Sequence, residues 1–303
     1  YNTAVGYNAG ATITTGVQNT LIGGLAGDAL TTGSHNIAIG LNALSTEDTG
    51  NRSVAIGNFA LYSQNNDSNN DNTAVGYNAG FALTTGTLNT LVGALSGDAL
   101  TEGNYNTFMG YNSGSAVTTG DFNTLIGGNA GDAVTDGYSN TALGYVALGA
   151  ETSGALNTAI GVQALEVQNG GNSNVAFGRR AGKSVSTGDN NTLIGTDAGD
   201  ALTTGSNNII IGKDAAASAN SVSNTTVIGT TTTTNAVVHG LVKPTNETNA
   251  NVTTALPNNI YVFSDADGAT VTLPDSGAGA YLGATVEFII KTTATSNSHK
   301  IIL

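Results

Sequence analysis

The stretch NTLIGGLAGDAL at residues 19–30 returns as NTLVGALSGDAL at 89–100, NTLIGGNAGDAV at 123–134 and NTLIGTDAGDAL at 191–202, at intervals of 70, 34 and 68 residues. The four copies belong to a longer series of Asn-x-x-x-Gly units, aligned on Gly6, Gly23, Gly40, Gly57, Gly76, Gly93, Gly110, Gly127, Gly144, Gly161, Gly178, Gly195, Gly212 and Gly229. Twelve of the thirteen intervals are 17 residues. The other, between Gly57 and Gly76, is 19, because SQNNDSNND (63–71) adds two residues to a polar loop. A beat held this long implies one coil of chain per repeat.

The columns of the repeat describe each coil. One residue before the marker glycine stand Val5, Ile22, Ile39, Ile56, Val75, Val92, Met109, Ile126, Leu143, Ile160, Phe177, Ile194, Ile211 and Ile228, with no polar exception. Two residues before it only Ala, Leu, Phe, Ile or Val occurs, beginning with Ala4, Leu21 and Ala38. Adjacent strand residues point to opposite faces, so two neighbouring apolar columns predict a strand covered on both sides. One cover is the coil's own core; the simplest candidate for the other is a second copy of the chain. Four residues before the marker, Asn occupies twelve of fourteen coils, with Ser53 and Thr225 the exceptions. Stacked Asn side chains suit a hydrogen-bonded ladder, and Asn also suits left-handed turns. Ten residues after the marker comes a second glycine, often as Thr-Thr-Gly (Gly16, Gly33, Gly86, Gly120, Gly205), which reads as the far corner.

Two coil types alternate. Where the fourth residue after the marker is Gly (Gly10, Gly27, Gly80, Gly97, Gly114, Gly131, Gly182, Gly199), the seventh is apolar, as in Ile13, Leu30, Leu83 and Val117. Where the fourth is Leu (Leu44, Leu61, Leu148, Leu165), the seventh is polar (Glu47, Gln64, Glu151, Gln168). That compensation predicts two positions sharing one closely packed volume. The order is two Gly coils, two Leu coils, two Gly coils, then the same again, so residues 1–104 and 105–207 form a duplicated six-coil block within a shaft spanning 1–235. At about 4.8 Å per coil the shaft is roughly 65 Å long. Open strand edges invite pairing, so its ends need caps. The beat stops after Gly229, and IYVFSDADGATVTLPDSGAGAYLGATVEFIIK (260–291) alternates strand-like runs with turn residues. Residues 236–303 are therefore expected to form a small antiparallel β domain, incomplete at its end, and the chain, opening on Tyr1 inside a repeat, reads as a fragment.

Composition narrows the function classes. With 42 Gly, 10% charged residues and no Cys or Trp, the chain suits turn-rich β-structure, without disulfides or thiolate metal sites. Against 21 acidic residues stand 8 basic ones, a net charge of −13 that would repel a phosphate backbone. No apolar run reaches the roughly 20 residues of a membrane helix.

Candidate sites are few. Gly-Asp pairs place Asp28, Asp98, Asp132 and Asp200 at matching corners, but in coils too far apart to share one calcium ion, so turn capping is expected. Asp265–Gly268 (DADG) lacks the distal Glu of a calcium loop and reads as a hairpin turn. Catalysis needs convergent groups, whereas His35, His239 and His299 lie in separate segments and no G-x-S-x-G elbow occurs. No catalytic, cofactor-binding or metal-ligating residue is assigned. Tyr7, Tyr77, Tyr111 and Tyr145 follow the marker and suit sugar stacking or simple surface decoration. The Thr column (Thr3, Thr20, Thr73, Thr90) suggests an ice-binding array but is broken by Ile37, Val54, Val175 and Ile209. The Asn-x-Thr triplets at 246–248 and 251–253 matter only in a eukaryotic secretory pathway.

The NTAVGYNAG…TTG units over residues 1–229 resemble the repeats of phage tail fibres and related bacterial surface proteins, and more loosely the head repeats of trimeric autotransporter adhesins. The resemblance implies a homotrimer of β-solenoids, and with it a non-enzymatic structural fibre of the virion tail that supports host attachment. Its implied partners are further copies, other tail proteins and a host-surface receptor, for which a glycan is one candidate, with neither nucleic acid nor membrane insertion. The alternatives are a bacterial cell-surface adhesin, a self-assembling extracellular filament and a glycan-cleaving tail spike.

Overall fold

In the computed structural model, which describes residues 1–232 and four later strands, every repeat contributes one three-residue strand ending just before its marker glycine. The fourteen strands, from β1 (Thr3–Val5) to β14 (Thr226–Ile228), lie in chain order as one parallel sheet. Each strand residue pairs with its equivalent 17 positions on, and Val54 pairs with Thr73 across the longer coil. Turns complete every coil, and no helix occurs among the described residues. The shaft is an all-β parallel solenoid.

Strand alternation sorts the two apolar columns. The residue two before the marker is the one that turns inward: Leu21, Ala38, Ala55, Leu91, Phe108 and Leu125 are fully buried. Beside them lie Ala26, Ala43, Ala60 and Ala130, three residues after the marker, and the apolar seventh residues Leu30, Leu83, Leu100 and Val117. Where Ser replaces that Ala, the hydroxyl is spent on the next coil's strand: Ser113 Oγ donates to the Leu125 carbonyl at 2.6 Å.

The predicted compensation between the fourth and seventh residues is present as geometry. A Cβ added to Gly27 would stand 2.8 Å from Leu30 Cδ1 and 2.9 Å from Leu21 Cδ2. Three positions therefore compete for one space, and Leu-type coils fill it from the fourth position while keeping Ala at the strand (Ala38, Ala55, Ala142, Ala159). The fourth residue also sits in the left-handed region, at φ 59° for Gly10 and 53° for Leu44. Glycine takes that conformation freely, whereas Leu carries a backbone cost of about 1–2 kcal/mol, offset by its full burial. The marker glycines are constrained more tightly still. Gly127 has φ 133°, and a Cβ there would lie 2.5 Å from the Gly144 carbonyl oxygen of the next coil.

The Asn column resolves as a ladder. Asn123 Oδ1 accepts the Asn140 backbone N–H at 3.0 Å, and its Nδ2 donates to the Gly137 carbonyl at 2.8 Å. The same two bonds recur at Asn19, Asn36, Asn89, Asn106, Asn140 and Asn157, all buried, with Nδ2 donating in each case to a far-corner glycine carbonyl. The left-handed turn belongs to the preceding residue instead, as in Gln18, Leu88 and Asn190.

The chain divides into two compact units, Tyr1–Ala236 and Val237–Leu303. In the second, β15 (Ile260–Phe263) pairs with β17 (Glu287–Ile290), and β16 (Thr270–Thr272) with β18 (Lys300–Ile302). Both pairs are parallel. The rest of the expected small domain, with the Asp265–Gly268 turn, His239, His299 and both Asn-x-Thr triplets, lies outside the described residues.

Asn123→Ala is expected to lower unfolding free energy by roughly 2–4 kcal/mol, because it strands one buried N–H and one buried carbonyl. Denaturant titration checks it, and a loss under about 0.5 kcal/mol would refute the ladder's role. Gly27→Leu alone should cost about 2–4 kcal/mol through overpacking and backbone strain. The triple change Leu21→Ala, Gly27→Leu, Leu30→Gln copies the coil of Ala159, Leu165 and Gln168 and should recover most of that loss.

Candidate interaction face and buried carboxylates

The inward turn of one apolar column leaves the other outside. Ile22, Met109, Leu143, Phe177 and Ile194 are exposed in the single chain, at 38%, 43%, 45%, 55% and 37%, and Ile39, Ile56, Val92, Ile126 and Ile160 are half-buried. Two residues earlier along each strand, the same face carries the Thr column, with Ile37, Val54, Val175 and Ile209 in its gaps. None of these outward strand residues is charged, in a protein of net charge −13. The strip is about 65 Å long and, at two side chains per strand, about 10 Å wide, close to the ~800 Å² that each partner of a standard interface buries.

The charged groups sit at the turns. Arg180 Nη2 donates to Asp197 Oδ2 at 2.8 Å and Arg179 reaches the same carboxylate at 3.3 Å, so two guanidinium groups share one Asp. The Arg180 hydrogen bond holds the Asp197 carboxyl below its usual range. Arg52 pairs with Asp71 across the longer coil.

The residues weighed in the sequence are scattered. Asp28 Oδ1 accepts the Ser45 hydroxyl at 2.6 Å, and Asp132 Oδ2 accepts Asn129 Nδ2 at 2.9 Å. Asp98 keeps one buried carboxylate oxygen without a hydrogen-bond partner, and burial raises its pKa. No group of three or more His, Cys, Asp or Glu converges among the described residues. Tyr7, Tyr77, Tyr111 and Tyr145 are all exposed and separated from one another by two coils or more.

Two features were not foreseen. The first is an interior carboxylate network at the longer coil. Ser53 interrupts the Asn ladder, and Gln64 bridges the gap: its Nε2 donates to Ser53 Oγ at 2.8 Å, and its Oε1 accepts from Asn72 Nδ2 at 3.0 Å. Glu47, fully buried, accepts the Gly50 N–H at 2.7 Å, Asn70 Nδ2 at 2.8 Å and Gln64 Nε2 at 3.0 Å. Loss of hydration nonetheless pushes its carboxyl up, outweighing those donors. In the second block Glu151 is likewise buried and takes the Gly154 and Gly170 N–H groups at 2.6 and 2.8 Å. Polarity of the seventh residue in Leu-type coils was the available signal. The second feature is a row of apolar side chains on the turn preceding the Asn column, Leu88, Tyr105, Phe122 and Leu156, all exposed.

Because the Glu47 pKa is raised in the fold, its contribution to stability is complete below the ordinary value of 4.5 and is lost as pH rises through the raised one. The melting-temperature difference between the parent and Glu47→Gln should therefore be largest below pH 4.5 and shrink as pH rises above it. A difference independent of pH would contradict the assignment.

No family model, no curated protein and no solved structure matches this chain.

Proposed function

We propose that this chain is a non-enzymatic structural fibre, the shaft of a phage tail fibre, which assembles as a homotrimer and supports attachment to a host surface. The observation that carries the reading is the uncharged, largely apolar outer strip that runs the length of the fourteen-stranded sheet. A bare strip of that size is seldom left in water, and a copy of the same rod matches its length and its 17-residue beat. Three strips meeting about a common axis would remove them all from solvent and leave the charged turns outside. The work of such a shaft is mechanical: in-register backbone bonds and buried ladders resist bending and proteolysis and hold an attachment tip away from its base. Extracellular placement on the virion tail follows from this reading, with other tail proteins and a host receptor as partners.

Substitution of adjacent residues separates fold from assembly. Leu125 is fully buried in its own coil, so Leu125→Asp should abolish folding. Ile126 faces outward, and Ile126→Asp should leave the circular dichroism of the shaft intact while dissociating the assembly. Asp136, exposed at a corner, should tolerate Ala with no change in either. Light scattering is expected to give three times the 30.1 kDa chain mass for the parent and a smaller species for Ile126→Asp. A soluble monomeric parent would overturn the reading.

A further inference from the structure

The residue five before each marker glycine adopts a left-handed backbone throughout the shaft, from Gln18 to Asn224. Most coils place a polar residue there, among them Gln18, His35, Arg52, Asp71, Ser139, Ser173, Asn190 and Asn207. Three consecutive coils do not. Leu88, Tyr105 and Phe122 take φ of 62°, 58° and 58°, a conformation that favours Asn or Gly over branched and aromatic side chains. Neither ring enters the core in return, since Tyr105 and Phe122 are 54% and 57% exposed. Aromatic side chains that are both backbone-strained and solvent-facing add nothing to the core, and such outliers point towards a use outside it.

The two rings are stacked, with centroids 5.1 Å apart and planes 11° from parallel. The next residue up the column, Ser139, is too short to cover the far face of Phe122, and exposed Tyr138 is adjacent in sequence. One residue before the rings, Asn104 and Asp121 form a polar edge. The Asn104 N–H donates to Asp121 Oδ1 at 2.6 Å, and Thr87 Oγ1 donates to Asn104 Oδ1 at 3.0 Å. Flat aromatic faces bordered by amide, carboxylate and hydroxyl groups are suited to a pyranose ring, which offers an apolar C–H face and a polar rim. Charge selects among sugars. Between Arg52 and Arg179 the chain has no Lys, Arg or His, while Glu102, Asp121 and Asp136 lie in these coils, so an anionic polymer would be repelled.

We propose that the Tyr105–Phe122 ladder, with Tyr138 and the Asn104–Asp121 edge, is a docking platform for the neutral sugar rings of a surface polysaccharide. It relies on the shaft reading for one point, that this corner stays outside the contact between copies.

The test is electrophoresis of the assembled protein through gels containing dextran, mannan or β-glucan, with polygalacturonate as the anionic control, for the parent and for Tyr105→Asn combined with Phe122→Asn. Asn suits the left-handed backbone, so the double variant should melt at the same temperature as the parent or higher and keep its mass. The expected result is retardation of the parent by at least one neutral polysaccharide and not by polygalacturonate, with affinity about tenfold weaker in the variant. Equal retardation of parent and variant would overturn the proposal, as would a parent retarded by none of the neutral polymers. A variant of lower mass would overturn it too, by making the ladder a contact between copies. A monomeric parent that still binds would remove the shaft reading and leave the platform standing.

Discussion

A coil closed every 17 residues by turns leaves backbone donors and acceptors facing its own interior, where no water reaches them. The shaft depends on the answer to that problem, a buried Asn that takes the next coil's N–H and gives to a far-corner carbonyl. Only an amide of that length offers both functions at once; Asp lacks the donor, and Ser lacks the reach. Everything else follows from the ladder. The far-corner residue is Gly in most coils because coils approach closely there: a Cβ on Gly120 would come 2.3 Å from the Gly137 carbonyl oxygen of the next coil, while Val222 takes the place near the end of the sheet. The strand that follows the Asn starts in fixed phase, so its middle residue always turns inward.

The longer coil shows how narrow the permitted detours are. Two extra residues displace the far corner, Ser53 replaces the Asn, and the missing functions are taken over by Gln64, Asn70 and Glu47 acting together. A buried carboxylate surrounded by donors is a costly replacement for an amide, since its desolvation works against each bond it accepts. The local chemistry differs from coil to coil, yet the backbone register across Val54 and Thr73 is the ordinary one.

Most of the shaft was legible because 17-residue periodicity multiplies each weak preference fourteen times. Coil length, strand position, far corner and the exchange between Gly27-type and Leu44-type residues all appear as columns. Hydrophobicity could not say which of the two apolar columns faces inward, since Leu125 and Ile126 are equally apolar. A finer signal did exist: over the first twelve coils the large residues Leu21, Leu91, Phe108, Leu125 and Leu193 fall only where the fourth residue is Gly, and a column that responds to core volume must be in the core. The left-handed turn at Tyr105 and Phe122 was hidden for the opposite reason. Its residue types are mixed, and nothing in Leu, Tyr or Phe announces that conformation.

The duplicated block carries a consequence for how such a molecule changes length. The coil beginning at Asn89 and the coil beginning at Asn191 are near copies, and each ends a six-coil block. The Asn89 coil is followed without a break in the sheet by the coil of Thr107, which opens the second block. A gene that gained or lost one whole block would therefore join coils already known to fit, and every core, corner and ladder contact at the new seam would have a precedent in the present molecule. Unequal recombination between the two halves could set the reach of the rod in steps of about 29 Å, without any new packing solution.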